Sequence, residues 1–189
     1  MEKLTGFIII GCWITFLAYW LISAMQVKAV AERQSRWSAL AHRIPLGCSY
    51  VLLAVWYLPP PMNLSVTPHA DWARGMGAAI CGLGLCVTLW ARWTLAGNWS
   101  SDVTFKQGHE LVKTGTYRFV RHPIYTGLLV MSLGTALDIG KFRGWLALPL
   151  MTAAFWIKLK QEERLMLRHF PDQYPAYQKQ VKAIVPFVI

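Results

Sequence analysis

The chain has 189 residues, of which 55% are hydrophobic and 15% are charged, and its formal net charge is +10. A soluble nucleic-acid-binding domain is excluded, because the lysines and arginines lie in connectors between apolar runs and form no basic stripe. Several of these runs approach the roughly 20 residues that a helix needs to cross a bilayer. The composition therefore predicts an integral membrane protein whose partner is the lipid bilayer and not a nucleic acid.

Five membrane-spanning helices are predicted, so the expected fold is all-α and polytopic. The first three spans cover residues 4–24, 44–58 and 73–96. The second is short for a bilayer, and an earlier start, with His42 and Arg43 snorkelling to the interface, would lengthen it. A fourth span follows the 118–123 region and ends at about residue 137, and a fifth ends at about 157. A tight polar turn separates the last two, which are expected to form a helical hairpin.

The distribution of basic residues orients these spans. Under this scheme 15 of the 19 lysines and arginines fall on one side, in the segments 28–43, 92–121 and 158–182. The positive-inside rule then places the N-terminus outside and the C-terminus in the cytoplasm. The short chain favours a bacterial or archaeal inner membrane. From Lys158 onward, charged and apolar residues alternate, which predicts an amphipathic helical tail on the cytoplasmic side.

Small residues in the third span predict a helix-packing face. Ala78, Gly82 and Cys86 are spaced four apart, which would let a neighbouring helix approach closely in lipid. The cysteines lie in or beside apolar runs, without a CxxC pair or a histidine at metal-ligand spacing. We expect buried thiols that form no disulfide and bind no metal at all four positions, which are Cys12, Cys48, Cys81 and Cys86.

Ionisable and aromatic side chains are concentrated between residues 109 and 129, beside an apolar run. Pro123 suits the first turn of the fourth helix, where its missing N–H costs nothing, and this leaves Arg121 and His122 at the helix entrance. A helix N-terminus attracts carboxylates. Interfacial anchoring would also explain Arg121 and His122, and an aromatic belt would also explain Tyr117 and Tyr125.

Glu162 and Glu163 follow the fifth span within a few residues, on the same predicted side as the 109–129 cluster. Acidic groups contribute little to positive-inside anchoring, so the pair favours a functional site with a partner such as Arg121, His122 or a bound cation. A solvated first turn of the tail helix is the structural alternative. We expect the two segments to meet at the membrane surface.

Three ordered motifs carry a family resemblance. The segments GTYRFVRHPIYTG, EER and FPDQYPAYQKQV together resemble the isoprenylcysteine carboxyl methyltransferase family of integral membrane methyltransferases, and phospholipid N-methyltransferases are similar in the same places. The resemblance covers roughly residues 99–186, whereas the first three spans match only as hydrophobic helices. It implies one membrane methyltransferase domain, 1–189, with a three-helix membrane part, 1–96, and a cofactor-binding part, 97–189.

The resemblance further implies that S-adenosylmethionine binds in a membrane-embedded pocket closed by cytoplasmic segments and leaves as S-adenosylhomocysteine. A lipophilic acceptor would enter from the bilayer. Glu162 is expected to contact the polar end of the cofactor, and the aromatic faces of Tyr117, Tyr125 or Trp99 would suit its sulfonium. The residues carried over as cofactor-binding are His109, Leu111, Val112, Tyr117, His122, Pro123, Tyr125 and Glu162.

Lys158 marks a departure from the family pattern. Family enzymes often carry an arginine four residues before the cofactor-binding glutamate, placed to bind the carboxylate of the acceptor. A lysine supplies charge without the bidentate fork, which weakens the case for a prenylcysteine carboxylate. Arg92 would be a substitute anion binder or an interfacial snorkelling residue. The side chains expected to act in the transfer are Lys158, His122 and Arg121, with His122 able to serve as a base for a thiol or ammonium acceptor.

The resemblance therefore predicts S-adenosylmethionine-dependent methyl transfer to a lipophilic or small acceptor, which would be a carboxylate, a thiol or an amine. Two alternatives stay open. Sterol reductases resemble this family in the C-terminal half and use NADPH, so a membrane reductase is one. A non-enzymatic helical membrane protein, in which the motifs serve only the structure, is the other.

Overall fold

The computed structural model describes residues 2–25, 30–33, 36–68, 70–99, 103–106 and 110–186. Helices dominate the described residues, as predicted. They are α1 (Glu2–Ala24), α2 (Arg36–Ala54), α3 (Asp71–Leu95), α4 (Pro123–Ile139), α5 (Phe142–His169) and α6 (Gln173–Gln180). A two-stranded antiparallel ribbon of β1 (Val30–Arg33) and β2 (Thr104–Lys106) is an exception to the all-α expectation.

The first helix is apolar on every side. In a helix that faces water, large apolar side chains form one stripe, which packs against the protein. On α1 large apolar side chains are also exposed, on the side away from the buried Ile9 and Phe16, at Leu4, Phe7, Ile8, Ile10, Ile14, Leu17, Leu21 and Ile22. Among the described residues, two helical stretches, Glu2–Ala24 and Asp71–Asn98, are long and apolar enough to cross a membrane, and Pro123–Ile139 is a shorter apolar helix. The count of five spans stays a prediction.

Backbone contacts between connectors agree with the predicted sides. Pairing of β1 with β2 joins the α1–α2 connector to the α3–α4 connector, and a bridge between Val120 and Lys182 brings the segment after α6 to the same side. On the other side, a bridge between Ser65 and Lys141 joins the α2–α3 connector to the α4–α5 turn. The connectors therefore alternate as the charge distribution predicted.

Helices α3 and α4 pack through four glycines, two on each helix. Gly77 and Gly84 on α3 are seven residues apart, and so are Gly127 and Gly134 on α4. A Cβ atom on Gly84 would lie 2.6 Å from the carbonyl oxygen of Gly127, and one on Gly77 would lie 2.7 Å from that of Gly134. The predicted face was wrong, because Gly82 has open space around it and Cys86 is exposed, although Ala78 is buried. A helix this rich in small residues offers several such faces, and the partner helix selects one.

The expectation of four buried thiols was also wrong for two positions. Cys81 is buried and Cys12 is partly buried, but Cys48 and Cys86 are exposed on the apolar surface. A thiol behaves as a small hydrophobic group, so these two positions suit contact with lipid as well as with protein.

Helix α2 begins earlier than residue 44, as the shortness of the apolar run suggested. His42 does not snorkel, because its side chain is only 2% exposed. Its Nδ1 lies 3.0 Å from Gln161 Oε1 on α5, and Gln161 Nε2 donates a 3.0 Å hydrogen bond to the carbonyl of Ser38. These contacts fix α2 against α5, one turn from Lys158.

The predicted hairpin of the last two spans is confirmed, with Gly140 in the left-handed conformation (φ 63°) after α4. Helix α5 does not end near residue 157, however. It continues for three more turns to His169, so the first part of the predicted tail belongs to the same helix. Lys158, Glu162 and Glu163 therefore lie on a rigid extension of α5 beyond its apolar part.

Candidate active site

Helix α4 begins at Pro123, as the sequence predicted. Gly115, with φ 58°, opens a 3-10 turn, Gly115–Arg118, and His122 caps the helix with Pro123 at its first position. The backbone N–H groups of Arg121 and His122 donate hydrogen bonds to the carbonyls of Lys182 (2.8 Å) and Ala183 (2.9 Å). The segment after α6 therefore satisfies donors that a helix entrance would otherwise leave without partners.

Glu162 on α5 faces the entrance of α4. The hydroxyl of Tyr125 donates a 2.6 Å hydrogen bond to Glu162 Oε1, and His122 Nδ1 lies 3.5 Å from Glu162 Oε2. Lys158 Nζ lies 4.0 Å from Glu162 Oε1, one helical turn earlier on α5. Of the predicted partners, His122 contacts this carboxylate, and Tyr125 and Lys158 contact it as well.

Glu163 takes the other predicted partner, Arg121. Arg121 donates from Nε (2.9 Å) and Nη2 (2.6 Å) to Glu163 Oε1. His122 Nε2 lies 3.3 Å from the same oxygen, so the imidazole bridges Glu162 and Glu163. The two segments that the sequence placed on one side of the membrane do meet.

These contacts set the charges of the site. Burial alone would raise the pKa of the Glu163 carboxyl, but hydrogen bonds from His122 and Arg121 lower that pKa to about 2. Burial likewise opposes ionisation of Glu162, yet His122 and Lys158 bring its pKa below the usual range. Burial would lower the pKa of His122, but the bonds to the two carboxylates outweigh it and raise that pKa. The site thus holds two ionised carboxylates at neutral pH, and their position on both sides of the imidazole favours its protonated form.

A cavity of about 280 Å³ lies against these groups. One side, which we call the polar wall, consists of Tyr117, Arg121, His122, Tyr125, Lys158 and Glu162. A second group of lining residues, which we call the aromatic wall, consists of Phe16 and Trp20 on α1, Leu46 and Tyr50 on α2, and Trp99 after α3. The lining also includes Asn98, Glu110, Leu111 and Val112, the tyrosines of α6, and apolar side chains of α3, α4 and α5.

The cavity brings together most of the side chains that the sequence singled out. Leu111 and Val112 join the six residues of the polar wall in its lining. Pro123 is buried at the start of α4 and sets the helix direction without lining the cavity. His109 lies outside the described residues. The role of each residue in binding or transfer stays a prediction.

Two of the three aromatic faces expected to suit a sulfonium are covered. The Tyr125 ring stacks between His122, at 5.4 Å, and Phe155, at 4.7 Å. The Trp99 ring faces the Arg92 guanidinium at 4.7 Å. Among the described residues, no ring pair involves Tyr117, whose side chain lines the cavity. Tyr117 is therefore the remaining candidate of the three.

Arg92 neither snorkels nor faces water, because its side chain is 2% exposed. It donates 2.7 Å hydrogen bonds to the carbonyls of Ser23 on α1 and Ala96 after α3. Trp20 and Trp99, which meet edge to face at 5.3 Å, lie beside its guanidinium. Arg92 thus fixes the end of α1 to the end of α3 behind the aromatic wall.

Most of the aromatic wall was not predicted. Phe16, Trp20, Leu46 and Tyr50 sit in apolar helices without a motif, and Trp99 was considered only for its ring face. The chain offers one signal in hindsight, which is the charged Arg92 after a long apolar run in α3. A buried guanidinium needs acceptors and aromatic neighbours, so it marks a place where helices meet.

Comparison with known proteins assigns the chain to a family. A model of the family described as phospholipid methyltransferase matches residues 72–173, which is more than half of the chain and includes the whole polar wall. The chain belongs to the phospholipid methyltransferase family. The predicted resemblance to a family of membrane methyltransferases is thereby confirmed.

Individual relatives agree with this membership. Protein-S-isoprenylcysteine O-methyltransferase of Tribolium castaneum is 32% identical over 123 residues, which cover 62% of this chain and 43% of that protein. The enzyme of the same name from Schizosaccharomyces pombe is 35% identical over 81 residues, covering 42% of this chain and 34% of that protein. The chain spans less than half the length of these relatives.

A solved structure is similar over most of the chain. The eukaryotic intramembrane Ras methyltransferase, an isoprenylcysteine carboxyl methyltransferase, superposes with a TM-score of 0.53 at 26% sequence identity. The similar region covers 89% of this chain and 52% of that one. The likeness in fold therefore covers more of the chain than the match to the family model does.

Proposed function

We propose that this member of the phospholipid methyltransferase family transfers the methyl group of S-adenosylmethionine to a membrane-associated acceptor in the cavity. One observation carries the proposal. Glu162, His122 and Tyr125 meet on the wall of a single cavity, and all three lie within the residues matched by the family model. The names of the relatives favour methyl transfer over hydride transfer from NADPH.

The lining residues fit the chemical groups of S-adenosylmethionine. Glu162 keeps 24% of its side chain exposed while it lines the cavity, and its ionised carboxylate suits an ammonium group. Leu111 and Val112 offer apolar surface for an adenine ring, and Tyr117 offers an aromatic face for a sulfonium. When bound, the cofactor supplies an electrophilic methyl group.

The residues of the polar wall contribute alignment more than acid or base chemistry. The Tyr125 hydroxyl and Lys158 hold Glu162 in one place, and stacking between His122 and Phe155 fixes the Tyr125 ring. Orientation of two reactants supplies roughly 7–11 kcal/mol in well-positioned systems. Because both ring nitrogens of His122 face carboxylates, which raise its pKa, we assign it to positioning and not to proton removal. The acceptor then arrives already deprotonated.

The aromatic wall supports a lipophilic acceptor. Helix α1 packs mainly against α3 and α2 mainly against α5, and each contributes two residues to this wall. Both helices also expose large apolar side chains on their outer surfaces. We therefore expect an apolar chain to reach the cavity from the bilayer without crossing water. Lys158 would then attract an anionic group of the acceptor as a point charge.

The proposal includes the membrane topology. Five spans, formed by α1 to α5, place the polar wall at the cytoplasmic surface, with the N-terminus outside and the C-terminus in the cytoplasm. The alternation of the connectors and the excess of lysine and arginine on the side of the cavity support this orientation.

Calorimetric titration of the purified protein in lipid nanodiscs with S-adenosylhomocysteine tests the proposal. We expect saturable binding by the wild type and a large loss of affinity in Glu162→Gln, which keeps the shape of the side chain and removes its charge. Lys160→Gln is the matched control, because Lys160 is exposed on the same helix and lies over the Trp156 ring, outside the cavity. Absence of binding by the wild type, or equal binding by Glu162→Gln, would refute the proposal.

A further inference from the structure

Glu163 differs from its neighbour Glu162 in what it contacts. Its side chain is 6% exposed and does not line the cavity. Its Oε1 accepts from Arg121 Nε and Nη2 and faces His122 Nε2, while Gln178 Nε2 donates a 3.2 Å hydrogen bond to Oε2. Both carboxylate oxygens are thus engaged by groups of the protein.

One consequence concerns the orientation of the His122 ring. With Nε2 at 3.3 Å from Glu163, the opposite nitrogen, Nδ1, points toward Glu162. The ring also lies parallel to Tyr125, with an interplanar angle of 4°, and Tyr125 donates to Glu162. Glu163 therefore sets the orientation of the His122 ring, and this ring contacts Glu162.

A second consequence concerns the segment 178–184, which we call the C-terminal strap. Arg121, held by Glu163, donates from Nη1 to the carbonyls of Gln178 and Val181. The strap carbonyls also accept hydrogen bonds from the backbone N–H groups of Arg121 and His122, and the Ile184 carbonyl accepts a 2.7 Å hydrogen bond from the Thr126 hydroxyl. The strap begins in the last turn of α6, which places Tyr174 and Tyr177 in the cavity lining.

We propose that Glu163 is a positioning residue of the methyl-transfer site, which orients His122 toward Glu162 and fastens the C-terminal strap through Arg121. It does so without touching the reacting groups. The inference rests on the proposed function, because the ligand that binds to the positioned side chains is the methyl donor.

The two actions of Glu163 can be separated in the ligand-free protein. The ¹⁵N chemical shifts of the His122 imidazole, assigned with His122→Asn, report its protonation and hydrogen bonding. Hydrogen exchange of the Arg121 and His122 amides reports whether the strap carbonyls stay in place. A residue with a merely structural role would lower the Tm without changing the nitrogen shifts.

Three variants give different expected patterns. Glu163→Gln changes the His122 shifts and speeds amide exchange about tenfold, because hydrogen bonds from charged donors are lost. Arg121→Lys removes the fork, so amide exchange rises while the His122 shifts stay those of the wild type. Lys160→Gln changes neither. If Glu163→Gln does not fold, Glu163→Asp, which keeps the charge on a shorter side chain, gives an intermediate pattern.

Titration with S-adenosylhomocysteine completes the test. We expect Glu163→Gln to raise the Kd about tenfold, with a smaller increase in Glu163→Asp. Unchanged His122 shifts in Glu163→Gln, or a Kd equal to that of the wild type, would overturn the inference. If the wild type binds no S-adenosylhomocysteine, the proposed function fails, whereas the shifts and exchange rates still decide how Glu163 acts on His122 and the strap.

Discussion

The two walls of the cavity are built in different ways. The polar wall is fastened by charged hydrogen bonds between the entrance of α4 and α5, such as those of Arg121 with Glu163 and of Tyr125 with Glu162. The aromatic wall is held by ring contacts, such as Trp20 with Trp99 and Trp13 with Tyr50. Hydrogen bonds fix direction, whereas ring packing tolerates changes of shape.

The match to the family model separates most of one wall from the other. Residues 72–173 include every member of the polar wall, but of the aromatic wall they include only Trp99. The wall with the ordered charges thus belongs to the part that this chain shares with its family. We infer that the polar wall serves mainly the methyl donor, whereas Lys158 and the aromatic wall contact the acceptor.

The largest effect is expected on the polar wall. Glu162→Gln should reduce kcat/KM about 10- to 150-fold, because a charged hydrogen-bond acceptor of roughly 1.5–3 kcal/mol is lost. The reduction should be equal for acceptors of different chain length, measured by transfer of a radiolabelled methyl group. A loss confined to one acceptor would contradict the division between the walls.

A smaller effect on stability is expected behind the aromatic wall. Arg92→Met should lower the free energy of unfolding by about 1–3 kcal/mol, because buried carbonyls of Ser23 and Ala96 lose their donor. The fall in Tm is measured by intrinsic tryptophan fluorescence. Gly82→Ala, at an open position on the same helix, is the control and should not lower the Tm, because alanine favours a helix more than glycine does.

The polar wall should also make stability depend on pH. The pKa of Glu163 is lowered to about 2 in the folded protein. Its contribution to the free energy of unfolding is therefore present above the unfolded pKa of about 4.3 and is lost as pH falls toward 2. The pKa of His122 is raised, so its contribution is present below about 6.5 and is lost as pH rises through the raised value. A Tm profile that falls on both sides is expected, and Glu163→Gln should flatten the acid side.

The smallest effect is expected from a mild change of the aromatic wall. Trp20→Phe keeps an aromatic ring but removes part of its surface, so the KM for a lipophilic acceptor should rise a few-fold, about 1 kcal/mol at most. The Kd for S-adenosylhomocysteine should equal that of the wild type. A change in that Kd would mean that the aromatic wall also contacts the methyl donor.

The sequence predicted the polar wall better than the aromatic one for a physical reason. Pro123 fixes a helix entrance by its covalent structure, and acidic residues beside an apolar span require partners, so the contacts of Glu162 could be expected. Helix α1 is apolar on every side, so its hydrophobic pattern does not show which side packs against α3. Phe16 and Trp20 therefore could not be placed.

The packing of α3 against α4 shows the same limit. Both Gly84 and Gly82 are compatible with close approach of a helix, and only the positions of Gly127 and Gly134 on α4 decide between them. The ribbon of β1 with β2 depends in the same way on two connectors that are distant in sequence. Patterns within one segment predict its conformation, but contacts between segments are decided by both partners.

The place of the C-terminal strap in the chain has a consequence for biosynthesis. Helices α1 to α5 are synthesised before the carbonyls of Gln178, Val181 and Lys182 exist, and chains fold from the N-terminus as they emerge. Arg121 is thus synthesised before the acceptors that hold the entrance of α4. The site can be completed only after residue 184 has been synthesised, because the carbonyl of Ile184 accepts a hydrogen bond from Thr126.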